Sequence, residues 1–162
     1  MMRAIKNNLI HIRNFRKSDI KKKFIMGLND KKLNKFISTR KKKQSYKDAL
    51  NYYISSKKDK FFYLAVLNVK DNNLIGTITY RKKDQDSFFL GYMVNDFKYI
   101  GGQTFFKAVK LSINHLCKTY KIKKILAATD KRNLPSNFFL IKLGFTILEK
   151  NKKTFKFLKK IK

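Results

Sequence analysis

NDFKYIGGQTFFKAVK, residues 95–110, sets two adjacent glycines where a loop gives way to helical spacing. Paired glycines carry an entropic penalty, so Gly101 and Gly102 call for a reason: a tight turn, or room for something to approach the backbone. Downstream, Phe105, Ala108, Val109, Ile113, Leu116, Cys117 and Tyr120 recur at helical intervals. At about 100° per residue, Lys107, Lys110, Asn114 and Lys118 fall together in one wedge. The spacing predicts an amphipathic helix over residues 102–120, docked on a core. Upstream, SFFLGYMV (residues 87–94) is apolar nearly throughout and reads as a central strand.

The rest of the chain arranges itself around this strand, loop and helix. LIHIRNF (residues 9–15) alternates as a first strand. Ser18 offers an N-cap for DIKKKFIMGL, and Asp30 a cap for a short helical continuation through Phe36. Ser45 and Asp48 have capping-box spacing at the head of YKDALNYYISSKK. FFYLAVL (61–67) and LIGTITY (74–80) flank the turn KDNN as a hairpin. KKILAAT is a further strand, and LPSNFFLIKLG is a short helix with Pro135 in its first turn and Gly144 at its end. FTILEK and TFKFLKK close the chain as an antiparallel pair. The order predicts an α+β layered fold, a single domain over residues 1–162 with a basic C-terminal strand or tail at 151–162. Its core is one mixed, mostly antiparallel central sheet of about six or seven strands, flanked by about four helices.

Composition narrows the function classes. The chain has 162 residues, 43% hydrophobic with 15 Phe and 8 Tyr, so a disordered polycation is excluded in spite of a formal net charge of +30. Of 40 basic residues only six are arginine, and the lysines spread over the whole chain, as in a solvated coat. The charge leaves nucleic acid open as a partner, but no recognition motif accompanies it. No apolar run is long enough to span a membrane, no secretory signal stands at the N-terminus, and the lone Cys117 forms no internal disulfide. A cytoplasmic monomer or homodimer is the expectation.

Element order and two motifs resemble the GNAT superfamily of acyl-CoA-dependent N-acetyltransferases, particularly members acting on protein N-termini or amino sugars. In the family's Gln/Arg-x-x-Gly-x-Gly/Ala loop, Lys98 holds the first position and Gly101 the first glycine; Gln103 stands where a small residue is usual, unless Gly102 serves after a one-residue shift. A helix N-terminus carries unpaired N–H groups and partial positive charge, and glycine lets a pyrophosphate come close to them. NLPSNFFLIKLGF resembles Asn-x-x-Ser-x-x-x-Tyr/Phe-x-Lys-x-Gly-Phe, with Asn133, Ser136, Lys142, Gly144 and Phe145 at the family spacing. Gly76, in NLIGTITY, matches the glycine of the family's third strand. The resemblance implies acetyl-CoA as co-substrate, held by Met93, Val94, Lys98, Ile100, Gly101, Gly102, Gln103, Thr104, Asn133 and Ser136.

Two family groups are missing. Phe89 stands where many relatives carry a catalytic Glu, and Leu140 where many carry an acidic Tyr. Tyr92 and Ser136 are the polar candidates for catalysis, with Asp84 and Asp86 nearby in sequence. His11 and His115 read as structural, and no Cys/His cluster has metal spacing, so no metal is expected. LNDKKLNKF resembles segments of relatives that acetylate nucleotide-linked amino sugars, which implies Asn29, Asn34 and Arg40 as acceptor-binding residues. The resemblance thus implies acetyl transfer to the primary amine of a small acceptor, such a sugar for surface polysaccharide being one candidate. A protein N-terminus is an alternative acceptor, and a catalytically weak CoA- or polyanion-binding module an alternative function.

Overall fold

The strand Phe62–Asn68 is apolar because it feeds two cores at once. Leu64 and Val66 pack with Ile12, Ile78 and Leu116 on one face; Tyr63, Ala65 and Leu67 pack with Phe15, Phe24 and Leu28 on the other. Period-two alternation with both faces covered produces that continuous run.

The computed structural model describes residues 2–37 and 42–161. The chain runs β1 (Ile5–Lys6), β2 (Ile10–Asn14), α1 (Lys22–Asn29), α2 (Tyr46–Lys58), β3 (Phe62–Asn68), β4 (Leu74–Lys82) and β5 (Ser87–Val94). It continues with α3 (Gln103–Tyr120), β6 (Lys124–Asp130), α4 (Leu134–Lys142), β7 (Thr146–Lys150) and β8 (Thr154–Lys160). One eight-stranded sheet has the order β1-β2-β3-β4-β5-β6-β8-β7, antiparallel throughout except at β5/β6. Residues of α1 and α2 join the core on one face of the sheet, and residues of α3 and α4 the core on the other. The mixed sheet with four helices is as the sequence implies. It has one strand more than the pattern shows, because the two residues of β1 are too few to display alternation.

Local signals hold unevenly. Ser45 caps α2 in a full capping box with Asp48, and Asn133 caps α4 ahead of Pro135. Ser18 does not cap α1: it lies inside a short 3-10 turn at Lys17–Asp19, which Asp19 ties to Arg13 through two 2.7 Å contacts, and α1 starts after Lys21. Asp30 accepts from the N–H groups of Lys32 and Leu33, but residues 31–36 form hydrogen-bonded turns and not a helix.

The parallel contact between β5 and β6 positions the site. It covers only Ser87, Phe88 and Phe89 against Lys124, Ile125 and Leu126. Beyond Phe89 the strands part, while β5 stays paired with β4 to Val94 and β6 with β8 to Asp130. Asn95 N–H donates to Ile75 and Lys83 N–H to Ser87, so the odd-numbered residues of β5 bond to β4. Alternation then turns the N–H and C=O groups of Tyr92 and Val94 toward the opening.

Candidate active site

Two cavities meet at this opening. The smaller, about 150 Å³, is walled by Met93 and Val94 of β5, by Ile100, Gly101 and Gly102 of the loop, and by Asn133 and Ser136 at the start of α4. Phe105, Phe139, Tyr99, Pro135 and Leu33 complete it. The larger, about 930 Å³, lies on the α1/α2 side of the sheet, between Phe24, Leu28, Asp48 and Tyr52 and the edges of β5 and β6. Ile37, Tyr92, Met93, Asn133 and Ser136 line both.

The glycine pair answers two needs. Gly101 has φ +69°, a left-handed conformation that a residue with a Cβ adopts only with strain. Gly102 has an ordinary φ of −75°, and a Cβ there would come no nearer than 3.4 Å to the Tyr99 carbonyl oxygen. The turn therefore requires Gly101, whereas the fold does not require Gly102. As N-cap of α3, Gly102 has no side chain to satisfy the first N–H groups of the helix. An eighteen-residue helix thus opens uncapped beside the small cavity, a site suited to an anion.

Tyr92 and Ser136 come together across the splay. Their hydroxyl oxygens are 2.5 Å apart, and the Tyr92 hydroxyl also lies 3.3 Å from the Ser136 carbonyl oxygen. The Tyr92 ring is held against Phe139 and Phe105, with centroids 4.8 and 6.3 Å away. Burial pushes its phenol up to about 12, against the opposing pull of the Ser136 hydrogen bond, so it is a neutral proton donor at physiological pH. Asn133 Oδ1 accepts from Ser136 N–H at 3.3 Å, which fixes the first turn of α4 under the phenol.

Seven of the ten residues expected to hold the cofactor wall the small cavity: Met93, Val94, Ile100, Gly101, Gly102, Asn133 and Ser136. Gln103 and Thr104 sit in the first turn of α3 outside its wall, and Lys98 is turned to Asp96 at 3.8 Å on the exposed side of the loop. Phe105 and Phe139 escaped the sequence reading because an apolar helix position looks the same whether it faces core or ligand. Phe89 does reach the wall of the large cavity. Leu140 is fully buried in the core and lines neither cavity, so the hydroxyl at this junction comes from β5 instead.

Of the expected acceptor residues, Arg40 lies outside the described residues. Asn29 is occupied with backbone: its amide donates to Ile25 and Gln44 carbonyls at 2.8 Å and accepts from Gln44 N–H at 2.7 Å. Asn34 donates to the carbonyls of Gly27, Leu28 and Asp30 around the end of α1. Neither lines either of the two cavities. Asn29→Ala is expected to lower stability in urea unfolding by about 1–3 kcal/mol, with binding in the small cavity unchanged. A changed acceptor KM at unchanged stability would return Asn29 to the binding site. His11 and His115 lie outside both cavities, as do Asp84 and Asp86. Among the described residues no group of three His, Cys, Asp or Glu side chains is arranged to hold a metal, and no helix is long and apolar enough to cross a membrane.

The family model of the acetyltransferase (GNAT) domain matches residues 10–146, most of the chain. The chain belongs to the GNAT acetyltransferase family. No curated protein matches its sequence. Solved GNAT structures superpose over nearly its full length. An acetyltransferase of the GNAT family from Bacillus anthracis is similar with TM-score 0.84 and 20% identity, covering 98% of each chain. The ribosomal-protein-S5-alanine acetyltransferase of Vibrio fischeri follows with 0.73 and 20%, covering 97% of this chain and 96% of its own. A nucleotide-linked sugar GNAT gives 0.77 and 18%, covering 99% and 91%. At these identities the likeness carries the fold alone. Two neighbours named for different acceptors share it, so the GNAT fold does not choose between them.

Proposed function

We propose that this protein is an acetyl-CoA-dependent N-acetyltransferase that moves the acetyl group directly to the primary amine of a small acceptor. The observation that carries the reading is the junction of the two cavities at Tyr92 and Ser136. A cofactor arm in the narrow cavity would bring its thioester to the same residues that an amine in the wide cavity reaches.

The residues suit acetyl-CoA. The uncapped start of α3, with Gly101 and Gly102 open above it, is a seat for the pyrophosphate. The free backbone edge of Tyr92 and Val94 offers N–H and C=O groups to the amides of the pantetheine arm, and a donor to the carbonyl oxygen as charge develops there. Bound acetyl-CoA supplies an activated thioester. Tyr92, neutral and held by Ser136, is positioned to hand its proton to the departing thiolate. Phe105 and Phe139 keep the junction apolar and the phenol in place. Orientation of the two reactants alone contributes up to roughly 7–11 kcal/mol of barrier lowering.

A nucleotide-linked amino sugar is a second reading of the acceptor, favoured by the net charge of +30, which attracts phosphate from a distance. The large cavity argues that such phosphates would stay at its mouth: no Lys or Arg stands among its described lining residues.

Calorimetric titration with acetyl-CoA tests the reading, repeated at high salt and with 3′-phosphorylated AMP, which lacks the pantetheine arm. One-to-one binding that survives salt and requires the arm is expected, followed by thiol release in an amine screen. Binding that disappears with salt, or is matched by the armless nucleotide, would mean that a basic surface is catching phosphate.

A further inference from the structure

Among the described residues lining the large cavity, none stands ready as a base for the proton that an acceptor amine must lose. Direct transfer requires the lone pair of a neutral amine, while amines are ammonium ions below their pKa. The titratable side chains among the described lining of the large cavity are Asp48 and Tyr52 of α2, Tyr63 of β3, Tyr92 of β5 and Asp130 of β6. No His, Glu, Cys or Lys is among them, and α1 contributes only Phe24 and Leu28.

Each candidate is committed elsewhere. Asp48 accepts from the Ser45 N–H and hydroxyl at 2.8 and 2.7 Å, closing the capping box of α2, and Lys42 lies 3.4 Å away. Asp130 accepts from the Arg132 backbone N–H and from its guanidinium at 2.9, 3.0 and 2.8 Å. Tyr92 is held neutral by burial and bonded to Ser136, so it offers a proton and does not take one. Phe89 presents a hydrocarbon ring at the wall, 37% exposed.

We infer that the enzyme selects weakly basic primary amines, which arrive already deprotonated. The class is an amine lowered by an electron-withdrawing neighbour, such as an α-amino group beside a carbonyl or an amine on a sugar ring, and it excludes simple alkylammonium ions. The inference rests on the transferase reading above and names its acceptor class. Hydrogen bonds from Ser45 and Arg132 hold Asp48 and Asp130 at about 2, which makes both very poor bases toward an ammonium ion and supports the same conclusion. In the step itself the free amine forms the C–N bond and the C–S bond breaks. The surplus proton on nitrogen passes to water, the thiolate takes the Tyr92 proton, and water returns a proton to the phenolate oxygen, so the phenol is restored.

The test compares two probes: a short peptide with a free α-amine, and the same peptide with a blocked N-terminus and one lysine. Their amines ionise near 7.7–8.0 and 10.4, so at pH 7 the free-base fractions differ by about 300-fold. Acetyl-CoA-dependent thiol release, followed from pH 6 to 9, is expected to level off near pH 8 with the α-amine. With the lysine peptide it is expected to be far slower at pH 7 and to climb about tenfold per pH unit throughout. One apparent pKa shared by both probes, or release from the lysine peptide alone, would show a base on the enzyme and overturn the inference while leaving the transferase reading intact. No release from either probe, nor from any amine of the screen, overturns both readings.

Discussion

Tyr92→Phe is expected to lower kcat for acetyl transfer by about 10²-fold while the KM for acetyl-CoA moves less than threefold. The substitution removes one oxygen and keeps the ring that packs against Phe139 and Phe105. Ser136 Oγ loses its 2.5 Å partner but lines both cavities, where water replaces the bond. What remains is a site that binds both reactants and expels an unprotonated thiolate. Ser136→Ala, which keeps the phenol but frees its orientation, is expected to lose less. The sign with pH follows from the raised phenol: burial pushes Tyr92 up to about 12, so the donor stays loaded across the neutral range. Any fall in rate between pH 7 and 9 in the wild type would then have another origin. Steady-state kinetics on both variants decide the matter. An unchanged kcat with a raised KM would make Tyr92 a wall of the cavity and nothing more.

Much of the scaffold around that phenol was legible in the residues, and for physical reasons. β5 coincides with the apolar run of residues 87–94: Phe88 and Leu90 enter one core and Met93 the other, while Phe89 faces the large cavity with an equally apolar ring. The apolar face of α3 is buried at Phe105, Ala108, Val109, Ile113 and Leu116, while Lys107, Lys110, Asn114 and Lys118 are exposed, as the 3.6-residue period requires. Ser45 and Asp48 announce α2, and Pro135 the first turn of α4, since a cap or a helix-starting proline acts only on N–H groups a few residues away. Gly144, after α4, is legible for the same local reason.

Features that depend on distant segments were not legible. No pattern in either strand marks Phe89 as the last residue of β5 paired with β6. Asn29 and Asn34 are amides near a site, but which partner an amide chooses depends on backbone carbonyls that only the fold brings close. Ser18 has cap chemistry, yet Asp19 draws the segment into a 3-10 turn by pairing with Arg13. The charge misleads most. Roughly one residue in four is basic, but the described wall of the large cavity carries two carboxylates and no basic group. A lysine coat acts over the whole surface through long-range potential, whereas selection of the acceptor is made by groups in contact.

Gly102→Ala is expected to leave thermal stability within about 0.5 kcal/mol of wild type while weakening acetyl-CoA by at least about tenfold in calorimetry. The two glycines separate by their backbones. At φ +69°, Gly101 needs its missing Cβ to fold; Gly101→Ala should cost about 1–2 kcal/mol of stability before any ligand is added. Gly102 is in an extended conformation open to any residue, with 3.4 Å to the Tyr99 carbonyl oxygen for a new methyl group. Folding therefore gains no evident advantage from glycine at that position, and a side chain able to cap would satisfy an N–H that is otherwise bare. A residue that avoids both options leaves the N–H groups of Gln103 and Thr104 bare and the backbone approachable, which is what a phosphate oxygen requires. Gly102→Ser sharpens the comparison, since its hydroxyl would cap α3 and compete for the same N–H groups. It should stabilise the free protein slightly and bind acetyl-CoA more weakly still. If both variants bind acetyl-CoA as well as wild type, the start of α3 does not hold the pyrophosphate, and the glycine pair is only a turn.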